Sequence, residues 1–176
     1  MTGPAPAARV LVAGIGNVFL GDDGFGVEVA RTLAGRRLPD GVDLVNTGVR
    51  GVHLAYQLLD GYHTAVLVDV TRRGGRPGTV YLIETPRAGP ATPEDALIDG
   101  HRMTPDAVLA LLGTLSAGTA ADRPRRVVVV GCEPERLAEG IGLSPPVAAA
   151  VAPAADLALQ VAGEAAAAAP DRCARP

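Results

Sequence analysis

Five short runs of β-branched and aliphatic residues, set apart by helical patterns, constrain this chain more than any other feature. They are Arg9–Ala13, Val42–Asn46, Ala65–Asp69, Thr79–Glu84 and Arg126–Gly131. Most are apolar almost without interruption, as in Val127-Val128-Val129-Val130. A strand that faces water on one side alternates, whereas one covered on both faces does not, so these runs read as strands of a parallel sheet. Helical spacing fills the gaps at Gly24–Ala34, Gly51–Leu59, Pro105–Leu115 and from about Pro145 to Ala162. Such alternation predicts one three-layer α/β/α domain with a five-stranded, mostly parallel sheet. The Thr79–Glu84 run follows Asp69 by a Gly/Pro-rich turn too short to hold a crossover helix, so it is expected to pair antiparallel with a neighbour.

A chain of 176 residues suits one domain of this kind. Residues 9–163 are expected to form it, with tails at 1–8 and 164–176. Two helix starts are marked by a hydroxyl residue before proline, Thr104-Pro105 and Ser144-Pro145. The Pro/Gly-rich stretch Pro86–Arg102 is expected to be a surface loop.

Composition removes several classes of function. The net charge is −3, every basic side chain is Arg, and aromatic residues make up 3% of the chain, so neither a basic face nor a stacking platform for nucleic acid is present. The complete lack of Lys beside abundant Ala, Gly, Pro and Arg fits the coding bias of a GC-rich genome. No charged start followed by an apolar stretch marks a secretory signal. The longest apolar tract, Val147–Ala169, contains Pro153, Asp156 and Glu164, which argues against a membrane span. A cytoplasmic protein is expected. Cys132 and Cys173 form no CxxC pair and indicate neither a disulfide framework nor a zinc cluster.

In open α/β sheets ligands bind beyond the carboxyl ends of the strands. Polar residues at those ends are Asp22 and Asp23 in the glycine-rich turn after the first strand, Asp69 at the end of the third, and Cys132 and Glu133 after the fifth. His101 lies just ahead of the helix that begins near Thr104. The glycine turn does not have GxGxxG spacing, and Asp22-Asp23 would set negative charge where a dinucleotide pyrophosphate belongs. A P-loop would need Lys. Asp22 reads best as a helix cap, while for Asp23 capping and function weigh equally. Asp69, at the end of a buried strand, must find donors, a cation or a metal, although a turn role competes. His53 falls in a helical pattern and His63 precedes a strand. Glu133 is either an additional acid or part of a solvated turn. Cys132 has no evident His and acid partners and reads as a small buried residue. Together Asp23, Asp69 and His101 make a mixed oxygen and nitrogen donor set suited to nickel or zinc.

The segment Gly14-Ile15-Gly16-Asn17, followed by Gly21-Asp22-Asp23-Gly24-Phe25-Gly26-Val27, resembles the opening signature of the hydrogenase maturation proteases. The resemblance continues in Leu67-Val68-Asp69, Gly100-His101-Arg102-Met103, Gly131-Cys132-Glu133-Pro134 and Gly140-Ile141-Gly142-Leu143-Ser144, in order, from about residue 9 to 160. It implies an endopeptidase, conventionally grouped with the aspartic type, that removes the C-terminal extension of a nickel-loaded [NiFe] hydrogenase large-subunit precursor. It further implies that Asp23, Asp69 and His101 form the metal-recognising and catalytic set, and that the nickel arrives with the precursor. Some relatives have Glu where this chain has Asp23. The competing class is a non-enzymatic nickel chaperone or sensor of hydrogenase assembly using the same residues.

Overall fold

Successive residues of the first strand, β1 (Val10–Ile15), enter two different cores. Val10 and Val12 join one apolar cluster, and Leu11 and Ala13, with Ile15, join the other. The same division recurs in β3 (Thr64–Val70), where Val66 and Val68 face one side and Ala65 and Leu67 the other. Alternate side chains of a strand point to opposite faces, so both faces of this sheet are covered, as the unbroken apolar runs predict.

The computed structural model describes residues 8–85, 104–117 and 123–168. The sheet is completed by β2 (Val42–Gly48), β4 (Val80–Thr85) and β5 (Arg126–Cys132), in the order β2-β1-β3-β5-β4. All neighbours pair in parallel except β4, which runs antiparallel to β5. That exception is the expected one.

Helices α1 (Phe25–Ala34) and α4 (Pro145–Ala167) pack on one face, and α2 (Gly51–Gln57) and α3 (Pro105–Ser116) on the other. The crossover from β1 to β2 and the return from β2 to β3 run in opposite directions across the sheet. Right-handed connections then require α1 and α2 on opposite faces, as found.

The last helix runs beyond its expected end near Ala162 to Ala167, with Ala165 and Ala166 buried, so residues 164–167 belong to the helix and not to a tail. Alanine continues both the helix and its apolar face here. Proline at 153 does not end α4: the carbonyl it leaves without a helical partner is that of Ala149, an exposed residue, so the cost of the missing bond is small. By length and composition α4 is apolar enough to cross a bilayer. Its Val147, Ala154, Ala155, Ala158 and Ala162 face, however, is fully buried in the core against α1 and the sheet. The expected surface loop Pro86–Arg102 and Cys173 lie outside the described residues.

Candidate active site

Because β1 connects outward to β2 and β3 lies on its other side, the chain diverges at the carboxyl ends of β1 and β3. This is the switch point at which doubly wound sheets open a crevice. A cleft of about 210 Å³ lies there, lined by Gly16, Asn17, Asp23, Gly48, Val49, Asp69, Val70, Arg72, Thr104 and Leu137. Asp23 and Asp69 are therefore brought together, as their positions at strand ends predict.

Asp23 is carried by a tight 3-10 turn, Gly21–Gly24, between β1 and α1. Its carboxylate does not cap that turn. It points back and accepts the backbone N–H of Asn17 at 2.8 Å, fixing the loop that lines the cleft. Glycine makes this fold-back feasible. Gly16 has φ 139°, and a Cβ there would sit 1.9 Å from the Asp23 carbonyl oxygen and 3.7 Å from Oδ1 of Asp69. Further in, a Cβ on Gly26 would lie 2.2 Å from the carbonyl oxygens of both Ile15 and Val68. The first turn of α1 is thus wedged against the ends of β1 and β3, which holds the two aspartates at one edge.

Asp69 is the penultimate residue of β3, with only 2% of its surface exposed. Its Oδ1 accepts the Val70 N–H at 2.7 Å. Burial and, after it, the neighbouring Asp23 carboxylate push its pKa well above the usual carboxylate range, against that one hydrogen bond. No basic side chain is paired with it among the described residues. A buried carboxyl facing a second carboxyl, with one donor, is a place short of positive charge.

Asp22 has a different task from its neighbour. Fully buried, it accepts the N–H groups of Glu135, Arg136 and Ser144 at 2.9, 2.7 and 2.6 Å and the Ser144 hydroxyl at 2.9 Å. Burial pushes its pKa up, but these four hydrogen bonds outweigh it and hold the carboxylate below its ordinary value. The expected helix cap is replaced by a latch between distant loops. Glu133, expected either as an acid or in a solvated turn, is 5% exposed and accepts the N–H groups of Arg73 and Gly74 and the Tyr81 hydroxyl. Cys132 is buried, and its thiol is pushed up to about 11, first by burial and then by Asp22 and Glu133. That environment makes a poor nucleophile.

His101 lies outside the described residues. His53 is exposed on α2 and His63 contacts the Thr64 hydroxyl at 2.9 Å, and neither lines the cleft. As metal donors the described part of the cleft offers the oxygens of Asp23 and Asp69; no group of three His, Cys, Asp or Glu side chains gathers among the described residues. Arg72 was not singled out by sequence, because one exposed arginine in a turn carries no signal until the cleft wall is known.

The family model described as HycI, hydrogenase maturation protease, matches residues 27–161. Among curated proteins, the chain is 33% identical over 161 residues to the hydrogenase expression/formation protein HupD of Bradyrhizobium diazoefficiens, covering 89% of this chain and 79% of that one. It is 30% identical over 148 residues to the hydrogenase 2 maturation protease of Escherichia coli, covering 83% and 85%. The solved structure of the hydrogenase maturating endopeptidase HybD from Escherichia coli superposes with a TM-score of 0.69 at 28% identity, over 89% of this chain and 93% of that one. With the motifs in order, the switch-point cleft in place and the likeness extending over most of its length, this chain belongs to the hydrogenase maturation proteases, a family of peptidases.

Proposed function

We propose that this peptidase removes the C-terminal extension of a nickel-loaded [NiFe] hydrogenase large-subunit precursor, and that Asp23, Asp69 and His101 act at the scissile bond. The observation that carries the reading is the Asp23–Asp69 pair: one carboxyl is buried, both line a single cleft, and neither has a cationic partner among the described residues. With His101 the two carboxylates make three donors, an open set that leaves coordination positions free. They are well suited to complete the coordination of an ion that a substrate brings with ligands of its own.

Nickel is accordingly part of the substrate. Its charge offsets the burial and the Asp23 carboxylate that disfavour the ionised form of Asp69, and a substrate without it leaves that form disfavoured. Docking of the ion fixes the peptide next to it in register with the cleft, so that recognition and orientation come from one contact. The ion polarises the scissile carbonyl or supplies the attacking hydroxide. The support for His101 is that Thr104, three residues further on, lines the same cleft. We place the reaction in the cytoplasm; the burial of the α4 face supports only that this helix belongs to the domain core.

The test is anaerobic incubation with the cognate precursor, with and without nickel, followed by intact mass. Loss of a C-terminal peptide from the nickel-loaded form alone supports the proposal. Tight binding with unchanged mass overturns it in favour of a metallochaperone.

A further inference from the structure

Asp69 leads directly into a loop that carries Arg72, Arg73 and Arg76. The loop is held down at several points. The Thr71 N–H donates to the Cys132 carbonyl at 2.8 Å, and the Gly78 N–H donates to the Glu133 carbonyl at 2.8 Å. Between these points the buried Glu133 carboxylate takes the Arg73 N–H at 2.8 Å and the Tyr81 hydroxyl at 2.9 Å. The Arg73 guanidinium lies over the Tyr81 ring, 5.8 Å from its centre. Arg72 alone of the three lines the Asp23–Asp69 cleft, and it enters no ion pair among the described residues. A second hollow of about 350 Å³ adjoins this cleft through Val70, Arg72 and Thr104, and extends past Ile83 and Thr85 on β4 to Pro105 and Asp106. Together the two form one groove with carboxylates at one end and Arg72 at the junction.

These charges sort the two sides of a scissile peptide. The metal-bearing side must lie against the acidic end, since a guanidinium beside a metal ion would repel it. Polypeptide on the other side, the part that is released, then passes Arg72. We propose that Arg72 is a specificity-determining residue that binds a carboxylate on this released segment, with Glu133 as the positioning residue that fixes its loop. The inference rests on the peptidase reading for the direction of the substrate. Arginine suits the task because its planar donors match a carboxylate edge. Asp106, on the wall of the second hollow, disfavours a carboxylate beside it, and Arg73, which lines the same hollow, has its guanidinium over the Tyr81 ring.

The experiment is binding of the nickel-loaded precursor, read by rapid mixing before it is cleaved, to the parent protein and to Arg72→Gln, Arg72→Lys and Glu133→Gln. Three precursors are used: the natural one, one with the acidic side chains of its extension changed to amides, and one with an amidated C-terminus. Arg72→Gln is expected to weaken binding of the natural precursor about ten-fold, the effect of one charge-assisted hydrogen bond. Arg72→Lys should lose less. One altered precursor should be insensitive to Arg72→Gln, which identifies the carboxylate as a side chain or the chain terminus. Glu133→Gln should weaken binding in the Arg72 background and have no further effect with Arg72→Gln; should it not fold, Arg72→Gln decides alone. Unchanged binding by Arg72→Gln, or an equal loss on all three precursors, overturns the proposal. Cleavage of the nickel-loaded precursor by the parent protein, run in parallel, separates the two readings. No cleavage with the Arg72 effect intact removes the peptidase reading, whereas cleavage without the Arg72 effect removes this one.

Discussion

Asp22 holds Ser144 by two hydrogen bonds, 2.6 Å from its backbone N–H and 2.9 Å from its hydroxyl, and so ties the turn after β1 to the first turn of α4. The next residue, Asp23, faces the cleft. Two adjacent carboxylates thus divide the work: one fastens the loop that presents the other.

Replacement of Asp22 by Ala should destabilise the protein by about 3 kcal/mol, because buried donors on Glu135, Arg136 and Ser144 lose their acceptor. Urea denaturation at neutral pH measures it. The pH dependence follows from the lowered folded pKa. Stability from this carboxylate is present above its ordinary unfolded value and is lost as pH falls through the folded one. The gap between parent and variant should therefore shrink in acid, below about pH 4.

Asp69 should show the opposite sign. Its folded pKa is raised, so above the ordinary carboxylate value the unfolded chain gives up a proton that the native state retains. The parent therefore loses stability as pH rises toward the folded pKa, at up to about 1.4 kcal/mol per pH unit. Asp69→Asn removes this dependence. Melting temperatures of parent and variant should diverge in favour of the variant between acid and neutral pH; parallel curves would contradict the assignment.

Gly26→Ala should cost about 3 kcal/mol, since the added methyl group meets two backbone carbonyl oxygens at 2.2 Å and neither can turn away. Denaturant melts of this variant would detect it directly. Gly61→Ala is an informative contrast: unlike Gly26 it has positive φ, 78°, but nothing lies within 4 Å, so only a backbone cost should appear.

At pH 8 a thiol with a pKa of about 11 is ionised in roughly one molecule in a thousand, so Cys132 should resist iodoacetamide in the folded protein. Peptide mapping after labelling reads this site separately from Cys173. Cys132→Ala should retain cleavage within about two-fold, as expected of a buried side chain with no part in the chemistry.

The strands were legible in sequence because apolar runs covered on both faces leave little ambiguity, and Asp69 stood out as a charge ending one of them. Asp23 was legible from its place in the glycine turn. The role of Asp22 was not, since its partners lie more than a hundred residues away and a carboxylate near a helix start also suits a cap. Thr104 does cap α3, through the Ala107 N–H at 3.3 Å, whereas the equally well-marked Ser144 turns its hydroxyl to Asp22. Glu133 next to Pro134 resembles a solvated turn until the fold buries it under the arginine loop. The end of α4 was missed because alanine carries no stop signal.

In the proposed function, Asp23 and Asp69 together present the substrate's metal-bound end for cleavage. This role is tested most directly by following the intact mass of nickel-loaded precursor, under anaerobic conditions, with the parent protein, Asp23→Asn and Asp69→Asn, each first shown to be folded. The parent should shorten the precursor while both variants leave it at full mass, with rates at least about a hundred-fold lower. Cleavage by either variant at the parental rate would contradict it.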